Sequence, residues 1–188
     1  MDYKLTDDWF SHHIPIWQAL ELPDRKRFLE IGSWEGRSMI FTVESMMHDG
    51  GEMICVDTWA GSHEHAGRPM DLVEERFNHN QATLMEKYPY RRIRKVKGPS
   101  NKALQGISGG FDMVYIDGSH HGLDVMTDAC NAWPLLKSGG MLIFDDYGWG
   151  RDLPAAQNPK LAIDTFLILL ENSFDVILKS YQVILRKR

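Results

Sequence analysis

Short apolar runs alternate with longer amphipathic stretches along this chain, and four of the runs close on a glycine or an aspartate. Residues 27–31 (RFLEI, followed by Gly32), 53–57 (MICVD), 111–117 (FDMVYID) and 141–145 (MLIFD) read as strands. A weaker strand covers 93–96. Helical periodicity runs through 37–48, 69–88, 123–136 and 160–171, with a shorter helix at 101–107. Pro69 suits a first turn, Pro89 marks an end, and Pro134 disturbs the last turn of its helix. Gly139-Gly140 opens the strand at 141–145, and residues 174–187 hold two β-rich runs with no helix between them.

Strands separated by helices imply parallel crossovers, and near-continuous apolar strands imply a sheet covered on both faces. The closing pair needs one antiparallel strand, because no crossover element separates it. The chain of 188 residues is therefore expected to be a single α/β domain, residues 1–188. In such sheets ligands bind outside the carboxyl ends of the strands. That rule selects Gly32, Asp57, Asp117 and Asp145.

Composition removes several other classes. Apolar residues at 43% and charged residues at 25% exclude a disordered chain, and a formal charge of −5 argues against nucleic-acid binding through net charge. The basic run at 91–97 reads as a solvated edge strand. No apolar run approaches a membrane span, and the N-terminus lacks the apolar segment of a signal peptide. Two cysteines form no disulfide framework, so a reducing, cytoplasmic compartment is expected.

Three constellations carry chemistry. The first is Glu30-Ile31-Gly32-Ser33-Trp34-Glu35-Gly36, leading through Arg37 and Ser38 into a helix. Glycines at a strand-to-helix turn let a ligand approach the backbone. The spacing is G-x-x-x-G, unlike the dinucleotide G-x-G-x-x-G, and Glu30 would repel a pyrophosphate. A carboxylate there suits a ligand with a cationic amino group. The second is Asp57-Thr58-Trp59, 25 positions after Gly32, near the offset at which an acid meets ribose hydroxyls. The third is Asp117-Gly118-Ser119-His120-His121 with Asp145-Asp146. Two neighbouring strands would bring three carboxylates to one crevice, which is costly unless a proton or a cation offsets their repulsion. Hard oxygen donors without cysteine favour magnesium over softer metals.

The E-x-G-x-x-x-G turn followed by an acid ending strand two resembles class I S-adenosylmethionine-dependent methyltransferases. The phrases FLEIGSWEGRS, VDTWAGSHEH, FDMVYIDGSH and LLKSGGMLIFDDY are similar to methyltransferase family 24, over about residues 28–147. Weaker echoes lie in DWF (8–10) and YQVILRK (181–187). The resemblance implies a Rossmann-like fold with a seven-stranded, mostly parallel sheet in the order 3-2-1-4-5-7-6, its last strand antiparallel, and helices on both faces. It implies that Glu30 and the loop of Gly32, Ser33, Trp34, Gly36 and Ser38 hold the methionine end of S-adenosylmethionine. Asp57 would take the ribose hydroxyls, with Thr58 beside it among the cofactor-binding residues. Trp59 and the turn Gly98-Pro99-Ser100 would border adenine, with Asp117 on the cofactor side.

Metal-dependent relatives of the catechol and macrolide-sugar type place a magnesium or similar divalent cation on acids ending strands four and five. Carried over, the ligands are Asp117, Asp145 and Asp146, although the catechol type has an amide where Asp146 stands. His120, three residues after Asp117, matches the general base of those relatives, and histidine titrates near neutrality. His121 ranks second. The expected reaction is methyl transfer to a hydroxyl of a small-molecule acceptor, sugar or phenolic, with Asp117 and His120 as catalytic residues. The rivals are a metal-independent methyltransferase, a non-catalytic cofactor-binding subunit, and a nicotinamide-dependent oxidoreductase.

The remaining histidines (His12, His13, His48, His63, His65 and His79) show no ligand spacing and read as loop or solvated residues, with His63 and His65 alternatively bordering the site. Residues 1–26, with Trp9, Phe10 and Trp17, read as a lid or as a packing segment, and 148–159 is a second lid candidate. Of six tryptophans, Trp9, Trp34, Trp59 and Trp149 fall near the expected site and Trp17 and Trp133 read as packing residues. The short chain leaves little insertion for an acceptor pocket, so a homo-oligomer that completes the pocket is one expectation.

Overall fold

A computed structural model describes residues 2–62 and 65–188. Seven strands form one sheet: β1 (Arg27–Ile31), β2 (Glu52–Asp57), β3 (Arg92–Lys97), β4 (Phe111–Ile116), β5 (Leu136–Phe144), β6 (Phe174–Lys179) and β7 (Val183–Lys187). Their order is β3-β2-β1-β4-β5-β7-β6. The ladders are parallel from β3 through β5, and β7 runs antiparallel to both of its neighbours. The helices are α1 (Ile14–Gln18), α2 (Arg37–Phe41, continuing as a π-helical turn Thr42–Met46), α3 (Met70–Lys87), α4 (Ser100–Ala103), α5 (Gly122–Ala132) and α6 (Lys160–Leu169).

The strand parity splits the apolar runs between two cores. Phe28, Cys55, Tyr115 and Ile143 face one side and pack with Trp17, Met39 and Phe77. Leu29, Val56, Val114 and Phe144 face the other, with Ala129 of α5 and Phe166 of α6. β3 forms one edge of the sheet, and its exposed charges fit the solvated-edge reading of 91–97. Among the described residues no helix is long and apolar enough to cross a membrane.

The largest boundary differences meet at residue 136: α5 ends at Ala132, ahead of Pro134, where the helix was expected to reach 136. β5 begins at Leu136, so Gly139-Gly140 lies inside the strand. Phe111 of β4 offers Leu136 a ladder partner ahead of an irregularity in the register, and this draws the strand start back by five residues from 141.

At the centre of the sheet the loops after β1 and β4 touch. The Gly32 amide donates to the Val56 carbonyl at 2.8 Å and the Asp117 amide to the Ile31 carbonyl at 2.8 Å. Gly32 has φ +87°, and a Cβ on it would fall 1.9 Å from the Asp117 carbonyl oxygen. Any side chain there would push apart the two loops that frame the crevice.

Candidate active site

The carboxyl ends of β1, β2, β4 and β5 open into a cavity of about 940 Å³. This is the upper end of the range for small-molecule sites, with room for a cofactor and a second molecule. Among its described lining residues are eight aspartates, one arginine and no lysine. Arg37 itself donates to the Asp7 carbonyl at 3.1 Å and lies 3.4 Å from Asp8. The lining therefore favours a cationic ligand over an anionic one.

Of the residues expected to hold a cofactor, Gly32, Ser33, Trp34, Ser38, Asp57 and Thr58 line the cavity on the β1–β2 side. Gly98 and Ser100 join them from the end of β3. Asp57 organises this side through the backbone. Its Oδ2 accepts the amides of Ser33 (2.8 Å) and Trp34 (2.9 Å), and its Oδ1 accepts the amide of Trp59 (2.8 Å). One carboxylate thus ties the loop after β1 to the loop after β2.

Three expected residues stand back from the cavity wall. Glu30 is 1% exposed, accepts a hydrogen bond from the Ser38 hydroxyl, and keeps one oxygen without a hydrogen-bond partner. Burial pushes its carboxyl up to about 7, against the Ser38 hydrogen bond. Gly36 is the left-handed residue before α2, where a Cβ would meet the Met39 and Phe77 side chains. Trp59 turns into the core against Phe77, while its indole N–H donates to the Trp34 carbonyl at 2.8 Å. Its role is to brace the loop from behind, since the ring does not line the cavity.

The N-terminal segment crosses this side as a strap. Thr6 donates to the buried Glu35 through its amide (2.6 Å) and hydroxyl (2.7 Å), and Arg76 pairs with the same carboxylate at 2.9 Å. Asn80 brackets Lys4, accepting its amide at 2.7 Å and donating to its carbonyl at 2.8 Å. Arg68 pairs with Asp7 at 2.6 Å. The segment's aromatic residues differ in placement, with Phe10 lining the cavity as Trp9 does. Trp9 lies over Trp34 with ring centroids 5.4 Å apart and lines the cavity, whereas Phe10 and Trp17 are buried against each other at 4.8 Å. Trp149 also lines the cavity, and Trp133 packs on Phe166 and Phe174. His65 lines it beside Trp34, and His63 falls outside the described residues.

The β4–β5 side is built from side chains. Asp117, Asp145 and Asp146 reach the cavity as expected. Asp146 has φ +57°, a left-handed turn directly after β5 that aspartate tolerates better than most residues. His120 Nε2 lies 2.8 Å from Asp146 Oδ2, and the Tyr181 hydroxyl donates to Asp146 Oδ1 at 2.8 Å. The Trp149 ring lies against His120 with centroids 4.2 Å apart. His121 is the residue before α5 and is absent from the lining.

Below them the hydroxyl of Tyr115, itself 1% exposed, contacts Asp117 Oδ2 at 2.9 Å and is hydrogen-bonded to Asp145 Oδ2. His13 brings Nε2 to 3.6 Å from Asp145 Oδ1, just beyond hydrogen-bond range. Burial, then the charges of Asp145 and Asp146, push the Asp117 carboxyl well above its usual range. Burial works the same way on Asp145, but His13 and Tyr115 outweigh it and hold that carboxyl low. A phenol has one proton to donate and here meets two carboxylates. The phenol oxygen thus bridges the two acids.

This donor chemistry bears on the divalent cation implied by the resemblance. Tyr115 takes one oxygen each of Asp117 and Asp145, and the Asp146 amide takes the other oxygen of Asp145 at 2.8 Å. Tyr181 and His120 take both oxygens of Asp146. Among the described residues no group of three histidine, cysteine or acidic side chains is arranged to hold a metal ion. The acids are each engaged by the chain's own donors and form no three-ligand group among the described residues, so the set does not fit a resident divalent cation. Sequence reasoning missed Tyr115, Tyr181 and His13, although a tyrosine two residues before a strand-end acid shares its face of the sheet and could have been noted.

Known proteins resemble this chain in sequence and in fold. A methyltransferase-domain family, methyltransferase family 24, matches residues 29–147. The O-methyltransferase hkm8 of Aspergillus hancockii is 29% identical over 121 residues, covering 64% of this chain and 42% of that protein. The chain therefore spans less than half the length of this curated relative. The solved O-methyltransferase of Bacillus cereus in complex with SAH superposes with TM-score 0.66 at 17% identity, over 96% of this chain and 83% of that one. MycE, a methyltransferase of the mycinamycin biosynthetic pathway solved with Mg, SAH and mycinamycin VI, gives TM-score 0.56 at 20% identity, over 94% and 47% of the two chains. These structural likenesses concern the fold. The family match covers well over half of the sequence, on a sheet whose order and reversed last strand are those the resemblance implies. The chain accordingly belongs to methyltransferase family 24, a family of class I S-adenosylmethionine-dependent methyltransferases.

Proposed function

We propose that this chain transfers a methyl group from S-adenosylmethionine to a hydroxyl oxygen of a small molecule, with His120 removing the hydroxyl proton. The observation that carries the reading is the 2.8 Å contact of His120 Nε2 with Asp146 Oδ2 in the wall of an acidic cavity. A carboxylate that accepts Nε2–H selects the tautomer in which Nδ1 takes a proton, and it stabilises the imidazolium that results. Trp149 against the ring restricts its orientation.

The cofactor supplies an electrophilic methyl group on a sulfonium, so the protein has no leaving group to create. The residues that would hold it are the Gly32–Trp34 loop, Asp57 with Thr58, and the Gly98–Ser100 turn. Asp57 accepts three backbone amides out of about four lone-pair sites, which leaves acceptor capacity for a ribose hydroxyl. The eight lining aspartates suit a cationic cofactor and count against the pyrophosphate of a nicotinamide dinucleotide. The remaining work of the protein is to hold the acceptor oxygen in line and to accept its proton.

The same charge pattern supports a neutral or cationic acceptor, sugar or phenolic, over one carrying a carboxylate or phosphate. Cation assistance is not part of this reading, because Tyr115, Tyr181 and His120 already engage the acids. Cys55, buried, and Cys130, exposed, are both free thiols and support a reducing, cytoplasmic compartment.

His120→Ala tests the base. The variant should bind SAH in calorimetry like the wild type and lose about 10²–10⁴-fold in turnover. Unchanged turnover would remove His120 from the mechanism, and a wild-type chain that binds neither the cofactor nor SAH would remove the methyltransferase reading.

A further inference from the structure

We propose that Tyr115 is a positioning residue that occupies the role of a cation: its phenol joins Asp117 to Asp145 so that three carboxylates share one wall without a divalent ion, and deleting that hydroxyl creates a metal site. The inference rests on the proposed function only in treating this wall as the acceptor side.

Tyr115 in β4 and Asp117 just past its end lie two residues apart and share a face of the sheet, which sends the phenol toward the carboxylate. The adjacent strand β5 brings Asp145 to the same hydroxyl. The ring cannot swing aside. It is 1% exposed and meets Trp17 edge-on, with centroids 4.8 Å apart and planes at 89°. Trp17 is in turn tethered by its indole N–H to the Gln182 side chain at 3.0 Å. The phenol oxygen is therefore held between two acids by packing from below. A cation drawn to Asp117 and Asp145 would compete with a donor already in place and unable to leave. Tyr115→Phe keeps the ring and its packing and removes only the oxygen. It frees one oxygen on each of two carboxylates that remain beside Asp146, a set of hard donors suited to magnesium or manganese.

Manganese titration read by electron paramagnetic resonance tests this on the intact chain, with SAH calorimetry on the same samples. Wild type should leave the free Mn²⁺ signal undiminished, and Tyr115→Phe should deplete it, gaining about tenfold or more in affinity, the scale on which outer-shell partners tune metal sites. Depletion by the wild type overturns the proposal and needs no variant. A folded Tyr115→Phe that leaves the signal intact overturns it as well. SAH binding reports separately on the methyltransferase reading, so a chain that fails to bind SAH still yields a decisive manganese result. A purely structural role for Tyr115 would lower stability without raising metal affinity.

Discussion

The two halves of the cavity are built by different means. On the β1–β2 side one carboxylate, Asp57, gathers three backbone amides from loops that follow adjacent strands. On the β4–β5 side the acids are held by side chains: Tyr115 from inside a strand, His13 from the N-terminal segment, Tyr181 from the turn before β7, and His120 from the loop after β4. The first half is backbone architecture within one crossover. The second is a convergence of distant residues, with His13 and Asp145 132 positions apart. A shared cofactor needs a constant frame, whereas an acceptor is met by side chains that can change without moving the sheet.

The contrast can be broken from its strongest point downward. Asp57→Ala should strand three amides at once, costing about 3 kcal/mol of stability at roughly 1 kcal/mol for each lost hydrogen bond, and should abolish SAH binding. Denaturant melts and calorimetry check both. A variant that kept full stability would show that Asp57 does not organise this half.

Glu30→Gln should give a smaller effect of opposite sign. A carboxyl whose folded pKa is about 7, above its ordinary value of 4.5, binds more protons in the folded chain between those values. Its contribution to stability is therefore present below about pH 4.5 and is lost as pH rises through about 7. Removing the ionisation should stabilise the chain by about 2 kcal/mol at pH 8, a figure below the full shift because Gln weakens the Ser38 contact. At pH 4.5 the gain should be gone and only the weakened Ser38 contact should remain, leaving the variant slightly less stable than the parent, which a pair of thermal melts would show. A gain that persists at low pH would point to packing and away from ionisation.

The smallest expected effect belongs to the other half. Exhaustive chelation should leave turnover unchanged, because the acids there are closed by the chain's own donors. Loss of activity on chelation with recovery on added magnesium would make the two halves differ in a further respect, one organised by backbone and one by metal.

How much of this was legible in the sequence follows the same division. The strands and their terminal Gly32, Asp57, Asp117 and Asp145 could be read because each is a local pattern, and the sheet order came from the resemblance. Trp59 misled because its proximity to Asp57 in sequence says nothing about the side on which the ring lies, and Phe77 of α3 draws it into the core. Glu30 lies within the buried end of β1, where Ser38 of α2 holds its carboxyl behind the cavity wall. Tyr115 was hidden inside an apolar run where any aromatic residue would have fitted. Only the register of β4 against β5 shows that its hydroxyl has two acids to meet. His13 could not be found by spacing, because the residue it faces comes from the far end of the domain.

The left-handed backbone at Asp146 narrows what the protein can become. With φ +57°, the position readily admits aspartate, asparagine and glycine, while β-branched and bulky residues would strain it. Single substitutions there can thus exchange a carboxylate for an amide, or for nothing, without remodelling the sheet. The partner of the proposed base is in this sense a dial with three settings: a charged acceptor for His120, a neutral one, and none. A chain of this fold can be moved between modes of proton handling at one residue, and the turn itself favours the three residues that make those settings.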